Sequence, residues 1–121
     1  MIAKWIDIDE GMWRLVVNYN VTHAETPWVE KMLRSVNARE SDIEDALTLL
    51  FSPNKAFTVS DPAQRMSVVC IGWTTSRAEW HNSIIHEIDH VQRDICEFYG
   101  VKLGSELAAY LQGYLGAEMI L

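Results

Sequence analysis

The amino-acid sequence predicts an α+β fold. Two observations carry the prediction. Short runs rich in Val, Ile, Trp and Tyr come in two pairs, within residues 4–21 and 55–75, and such residues favour strands. Each pair is followed by two segments with helix start or stop signals, the clearest with apolar residues at helical spacing. The predicted order is β-β-α-α-β-β-α-α, with no internal repeat, low-complexity segment or linker. At 121 residues the chain is near the commonest domain size, so a single domain over residues 1–121 is expected.

The elements follow in order. "KWIDI" and "MWRLVVNYNV" read as two strands around a turn carrying Asp9, Glu10 and Gly11, because Gly tolerates turn conformations and the flanks are β-branched or aromatic. Thr26 before Pro27 predicts a helix start, since Pro is tolerated in the first helical turn. "PWVEKMLRSVNA" then places Trp28, Val29, Met32, Leu33 and Val36 at helical spacing. In "SDIEDALTLLF", Ser41 with Glu44 predicts a capping box, and Pro53 closes the helix. "KAFTVS" and "MSVVCIGWTT" are the next strands, and the second, being mostly β-branched and aromatic, should be central or well buried. Ser76 or Thr75 caps a helix that runs to Tyr99 and ends at Gly100. Gly104 and Ser105 open a last helix, "ELAAYLQGYLGAEM".

Composition excludes some functions. Lys+Arg number 10 against 17 Asp+Glu, a net charge of −7, and no basic block occurs. Nucleic acid is therefore not an expected partner, because binding it depends on neutralising phosphates. Anionic membranes are disfavoured for the same reason, and no apolar run approaches the ~20 residues of a membrane span. The start, "MIAKWIDIDEGMW", has acids where a signal peptide would be apolar. The expected location is cytoplasmic, with Cys70 and Cys96 as reduced, buried side chains.

The stretch "NSIIHEIDHVQ" carries the functional question. On a helix turning 100° per residue, Ile84, Ile88, Val91, Ile95 and Phe98 share one side. His86 and His90 fall together on the other side, so neither reads as a core residue. Two histidines one turn apart stand roughly 6 Å apart along the axis. Their ring nitrogens can converge on one Zn²⁺ at about 2.1 Å each. Glu87, on an adjacent part of the surface, can then take a proton from zinc-bound water without binding the metal.

A catalytic zinc is usually held by three protein ligands. Asp94 and Glu97 lie toward the histidine side, but Asp94 is two turns from His86, roughly 12 Å away. The third ligand must come from another segment. Gly100 and a short connection make an αα-hairpin, and Glu106 stands in the first turn of its second helix. Glu106 is the candidate third ligand; its plainer role is to favour the helix dipole. Tyr110, at i+4 from Glu106, reads either as a hydrogen-bond donor to the ligand carboxylate or a developing oxyanion, or as a core aromatic. His81 reads as a surface or supporting residue. Asp94 reads as a partner for the free ring nitrogen of His86 or His90.

"IIHEIDHVQ" followed by "SELAAYLQGYLG" resembles small zincin-like metallopeptidases of the gluzincin kind, over roughly residues 76–116. The resemblance implies a minimal zincin-like fold with His86, His90 and Glu106 as zinc ligands and Glu87 as general base. Its substrate would be a peptide or protein. The sequence departs from that pattern in three ways. Asp89 is charged where zinc-peptidase helices usually carry an uncharged residue. The spacing from His90 to Glu106 is shorter than in large gluzincins. The chain also ends soon after the ligand helix, which leaves the sheet as the substrate wall; "KAFTVS" or "MSVVCIGW" would be the edge that takes an extended peptide. The alternative to a zinc hydrolase is a non-catalytic zinc-binding or protein-interaction domain that retains the HExxH helix. A weaker case has no metal and two solvated histidines.

Overall fold

The expected order of elements is present. In the computed structural model, which describes residues 1–121, the chain forms β1 (Ile2–Ile8), β2 (Trp13–Val21), α1 (Thr26–Ser35), α2 (Glu40–Leu49), β3 (Ala56–Asp61), β4 (Met66–Gly72), α3 (Arg77–Tyr99) and α4 (Glu106–Met119). A 3-10 turn over His23–Glu25 leads into α1.

The four strands make one mixed sheet in the order β1-β2-β4-β3. β1 pairs antiparallel with β2, placing Trp5 opposite Val16. β2 and β4 run parallel, with Val17 opposite Val69. β3 returns antiparallel to β4, with Thr58 opposite Val69. β4 is therefore interior, as its apolar sequence predicts. Of the two candidate substrate edges, β3 is the free one.

Alternation along the strands splits the core in two, because successive side chains point to opposite faces. Trp13, Leu15, Val17, Val69 and Ile71 face α3 and α4 and meet Ile84, Ile88, Val91, Ile95 and Leu115. Val16, Val68 and Cys70 face α1 and α2 and meet Val29, Leu33, Ile43 and Leu50. Each such side chain, fully buried, contributes about 1.5–3 kcal/mol relative to exposure.

Helix ends follow local chemistry, with two adjustments. α1 starts one residue earlier than the Thr26 cap implies: Glu25 is the N-cap, and Pro27 lies in the first turn. The capping box at Ser41 does not form. α2 begins at Glu40 with Arg39 as an extended N-cap and no side-chain cap. Arg34 of α1 donates to Glu40 through its two terminal guanidinium nitrogens, and Glu40 and Asp42 put negative charge at the positive end of the helix. α3 is capped as predicted: the Ser76 hydroxyl accepts from the Glu79 amide at 3.1 Å, and Gly100 closes it at φ 69°.

β4 ends at Gly72, short of the predicted "WTT". A Cβ there would lie 2.6 Å from the Lys55 carbonyl oxygen, so only glycine lets the residue that leads into β3 come this close. α4 is fastened at both ends. The Gln92 amide donates to the Ala108 carbonyl at 2.8 Å. Lys4 Nζ donates to the Glu118 carbonyl and the Tyr19 hydroxyl to the Met119 carbonyl, each at 2.6 Å, satisfying free carbonyls of the last turn.

Candidate metal centre

α3 lies under the β3 edge, and its three flanks do different work. The innermost flank carries Ile84, Ile88, Val91 and Ile95 into the core. Phe98, expected among them, is partly exposed. It packs edge-on against Trp13 at 5.8 Å and under the Arg65 guanidinium at 5.7 Å.

The second flank meets β3. Glu87 does not project from the surface. It is 2% exposed, enclosed between helix and sheet, and its Oε1 accepts from the Thr58 hydroxyl at 2.8 Å. Burial holds the Glu87 carboxyl above its ordinary pKa; the Thr58 hydrogen bond and the nearby His86 and His90 pull the other way. Two turns on, Asp94 accepts from Ser60 at 2.6 Å. Ser60 also bonds Ser67 at 2.7 Å, and Ser67 accepts from the buried Trp13 indole at 2.9 Å. Asp94 thus belongs to the seam with the sheet, whereas the sequence reading made it a partner for a histidine. Thr58, Ser60 and Ser67 were not singled out from the sequence, although Thr58 and Ser60 alternate with Phe57 and Val59. That alternation marks a polar strand face.

The third flank is exposed and carries His86 and His90. Their Nε2 atoms stand 3.1 Å apart and their ring centroids 4.8 Å apart. Two nitrogens about 2.1 Å from a tetrahedral zinc would be roughly 3.4 Å apart. The two rings are within hydrogen-bonding distance of each other, and their nitrogen separation lies within a few tenths of an ångström of that zinc spacing. His86 and Glu87 line a cleft of about 180 Å³ with Asn54, Lys55, Asn82 and Ser83.

The remaining predicted residues lie elsewhere. α4 meets α3 on the flank of Gln92, which is turned about 160° around the helix from His90. Glu106 is exposed in the first turn of α4, and no third His, Cys, Asp or Glu joins the two imidazoles in a group that could hold a metal. Tyr110 lines a separate, apolar cavity with Asp9, Met12 and Tyr99. His81 bonds the Arg77 carbonyl through Nδ1 at 3.0 Å and packs against Trp80. So His86, His90 and Glu87 come together, while Glu106, Tyr110 and His81 do not join them.

Both cysteines are buried and unbridged, and burial pushes the Cys70 thiol up to about 12. No helix is long and apolar enough to cross a membrane. No protein-family model matches the chain, and neither does any curated protein or solved structure.

Proposed function

We propose that the chain is a zinc-dependent hydrolase, most simply a metallopeptidase. The carrying observation is the convergence of His86 and His90, Nε2 to Nε2 at 3.1 Å, beside a carboxyl whose pKa is raised by burial. In this reading the two imidazoles hold the metal. A zinc ion there would supply Lewis acidity toward a scissile carbonyl and an attacking water. Glu87 accepts the proton of that water and returns it to the leaving amine. Thr58 keeps the Glu87 carboxylate oriented. β3, as the open edge next to Glu87, offers its backbone to an extended peptide. A cytoplasmic setting suits the unbridged Cys70 and Cys96.

Glu106 is the third ligand of this proposal. To reach the histidines, α4 must give up the Gln92–Ala108 bond. A second reading, a zinc-binding module without turnover, draws support from that bond and from the engagement of Glu87 with Thr58.

The deciding experiment is elemental analysis with a peptidase assay on wild type, His86→Ala, Glu106→Ala and Glu87→Gln. The proposal expects about one zinc per chain, lost in His86→Ala and reduced in Glu106→Ala. It also expects turnover to fall by about 10²–10⁴ in Glu87→Gln while zinc stays. Zinc with no turnover in any form supports the non-catalytic reading. Zinc retained by Glu106→Ala removes Glu106 from the ligand set, and no zinc after reconstitution defeats both readings.

A further inference from the structure

The seam between α3 and β3 opens at one end. Both elements run the same way, since Thr58 meets Glu87 and, further on, Ser60 meets Asp94. Ser83 stands one turn before Glu87, about 6 Å back along the helix axis. Lys55, just ahead of β3, comes from the sheet side. Both line the cleft of about 180 Å³ that also holds Asn82, His86 and Glu87.

Ser83 has no structural task in this seam. It is 5% exposed, and a serine or threonine inside a helix often spends its hydroxyl on a carbonyl of the preceding turn. Thr48 does so in α2, donating to the Glu44 carbonyl at 2.8 Å. The Ser83 hydroxyl makes no hydrogen bond within the chain. Every fully enclosed side-chain polar atom has a partner, so the exposed remainder of Ser83 includes its hydroxyl, which opens on the cleft. Buried polar groups are generally hydrogen-bonded; this one is presented to what enters.

Its neighbours in the cleft have the same character. Asn54 is held by Thr75. Lys55 and Asn82 are exposed, and Lys55 is in none of the ion pairs of the chain. An ammonium, a carboxamide and a hydroxyl can all donate. The one acid of the cleft is Glu87, and one of its oxygens already accepts from Thr58.

We propose that Lys55, Asn82 and Ser83 form a subsite for a carboxylate of the substrate, either the end of a peptide chain or an Asp or Glu side chain. The hydrolase reading is needed only to call the ligand a substrate. A carboxylate accepts at both oxygens, and hydrogen bonds from a charged donor are the strong ones. The net charge of −7 does not decide against an anion here. Exposed charges beyond about 8–10 Å are screened at physiological salt, whereas these donors act at contact. Glu79, the next acid back along α3, lies outside the cleft. The 6 Å from Ser83 to Glu87 is roughly two residues of extended chain, so the carboxylate sits within two residues of the bond to be cut.

Fluorescence-polarisation titration of the chelated full chain tests the subsite. Chelation keeps both cleavage and a metal–carboxylate bond out of the measurement. The probes are three N-terminally labelled peptides: trialanine with a free carboxyl end, trialanine amide and Ala-Glu-Ala amide. At least one acidic peptide should bind roughly tenfold tighter than trialanine amide, and which one does names the source of the carboxylate. Ser83→Ala and Lys55→Met should each remove most of that preference and leave the affinity for trialanine amide unchanged. Ser83→Ala should also keep the melting temperature of wild type, since the hydroxyl bonds nothing in the chain. Equal binding of all three peptides, binding of none, or a preference that both variants keep overturns the proposal. A preference that the variants abolish, in a chain that cuts no peptide when zinc is added, upholds the subsite and defeats the hydrolase reading instead.

Discussion

The Thr58 hydroxyl of β3 donates a 2.8 Å hydrogen bond to the carboxylate of Glu87 on α3, tying the free edge of the sheet to the centre of the HExxH motif. The bond favours the charged form of a group that burial drives toward neutrality. Thr58→Val removes it without changing shape much. The Glu87 pKa should then rise further, and the acidic limb of any hydrolytic pH–rate profile should move to higher pH. A profile that does not move would show that Glu87 is not the base.

Glu87 also makes a prediction about stability, best tested in chelated protein. Its folded pKa is raised above the unfolded value. Its contribution to stability is therefore full below the unfolded pKa and is lost as pH rises through the folded one. Glu87→Gln has no such loss. The variant should melt higher than wild type at neutral pH, with the gap closing in acid. Turnover should meanwhile fall by about 10²–10⁴, the usual contribution of a general base.

Ser67→Ala leaves the buried Trp13 indole without its 2.9 Å partner. An unsatisfied buried donor costs about 1–3 kcal/mol, readable as a shift of the urea midpoint at constant slope. A loss below a few tenths would mean that water takes the place of the hydroxyl.

Asp61 ties β3 to the end of α1. It accepts from Asn37 at 2.8 Å and from Gln64 at 2.6 Å, and also from the Ala63 amide at 3.1 Å. The Gln64 and Asn37 bonds hold its pKa below the ordinary value. Its stabilisation is present above the unfolded carboxylate pKa and is lost as pH falls through the lower folded one. Asp61→Asn should lower stability at pH 7 and flatten acid unfolding in that window.

Gly72→Ala should destabilise by about 1–3 kcal/mol. Its methyl group would lie 2.6 Å from the Lys55 carbonyl, which is backbone and cannot swing aside. The thermal melt measures this directly.

The local patterns were legible in the sequence because they rest on near-neighbour physics. Strand runs, the Ser76 cap, the Gly100 stop and the interior character of β4 come from propensity and periodicity. The convergence of His86 and His90 follows from four residues being close to one helical turn. The Ser41 capping box does not form because α2 begins one residue earlier, at Glu40, whose side chain pairs with Arg34 of α1. What only the tertiary structure decided is what each flank of α3 meets. On a bare helix Glu87 reads as surface and Asp94 as a histidine's neighbour; the β3 edge over that flank turns both into the seam with Thr58 and Ser60. Likewise, an αα-hairpin in sequence does not specify the side on which its second helix returns. The Gln92–Ala108 bond and the Tyr19 and Lys4 bonds to the last carbonyls put α4 on the flank away from the histidines. Glu106 went with it, because contacts between distant segments, not the spacing of residues along the chain, choose the face on which a helix packs.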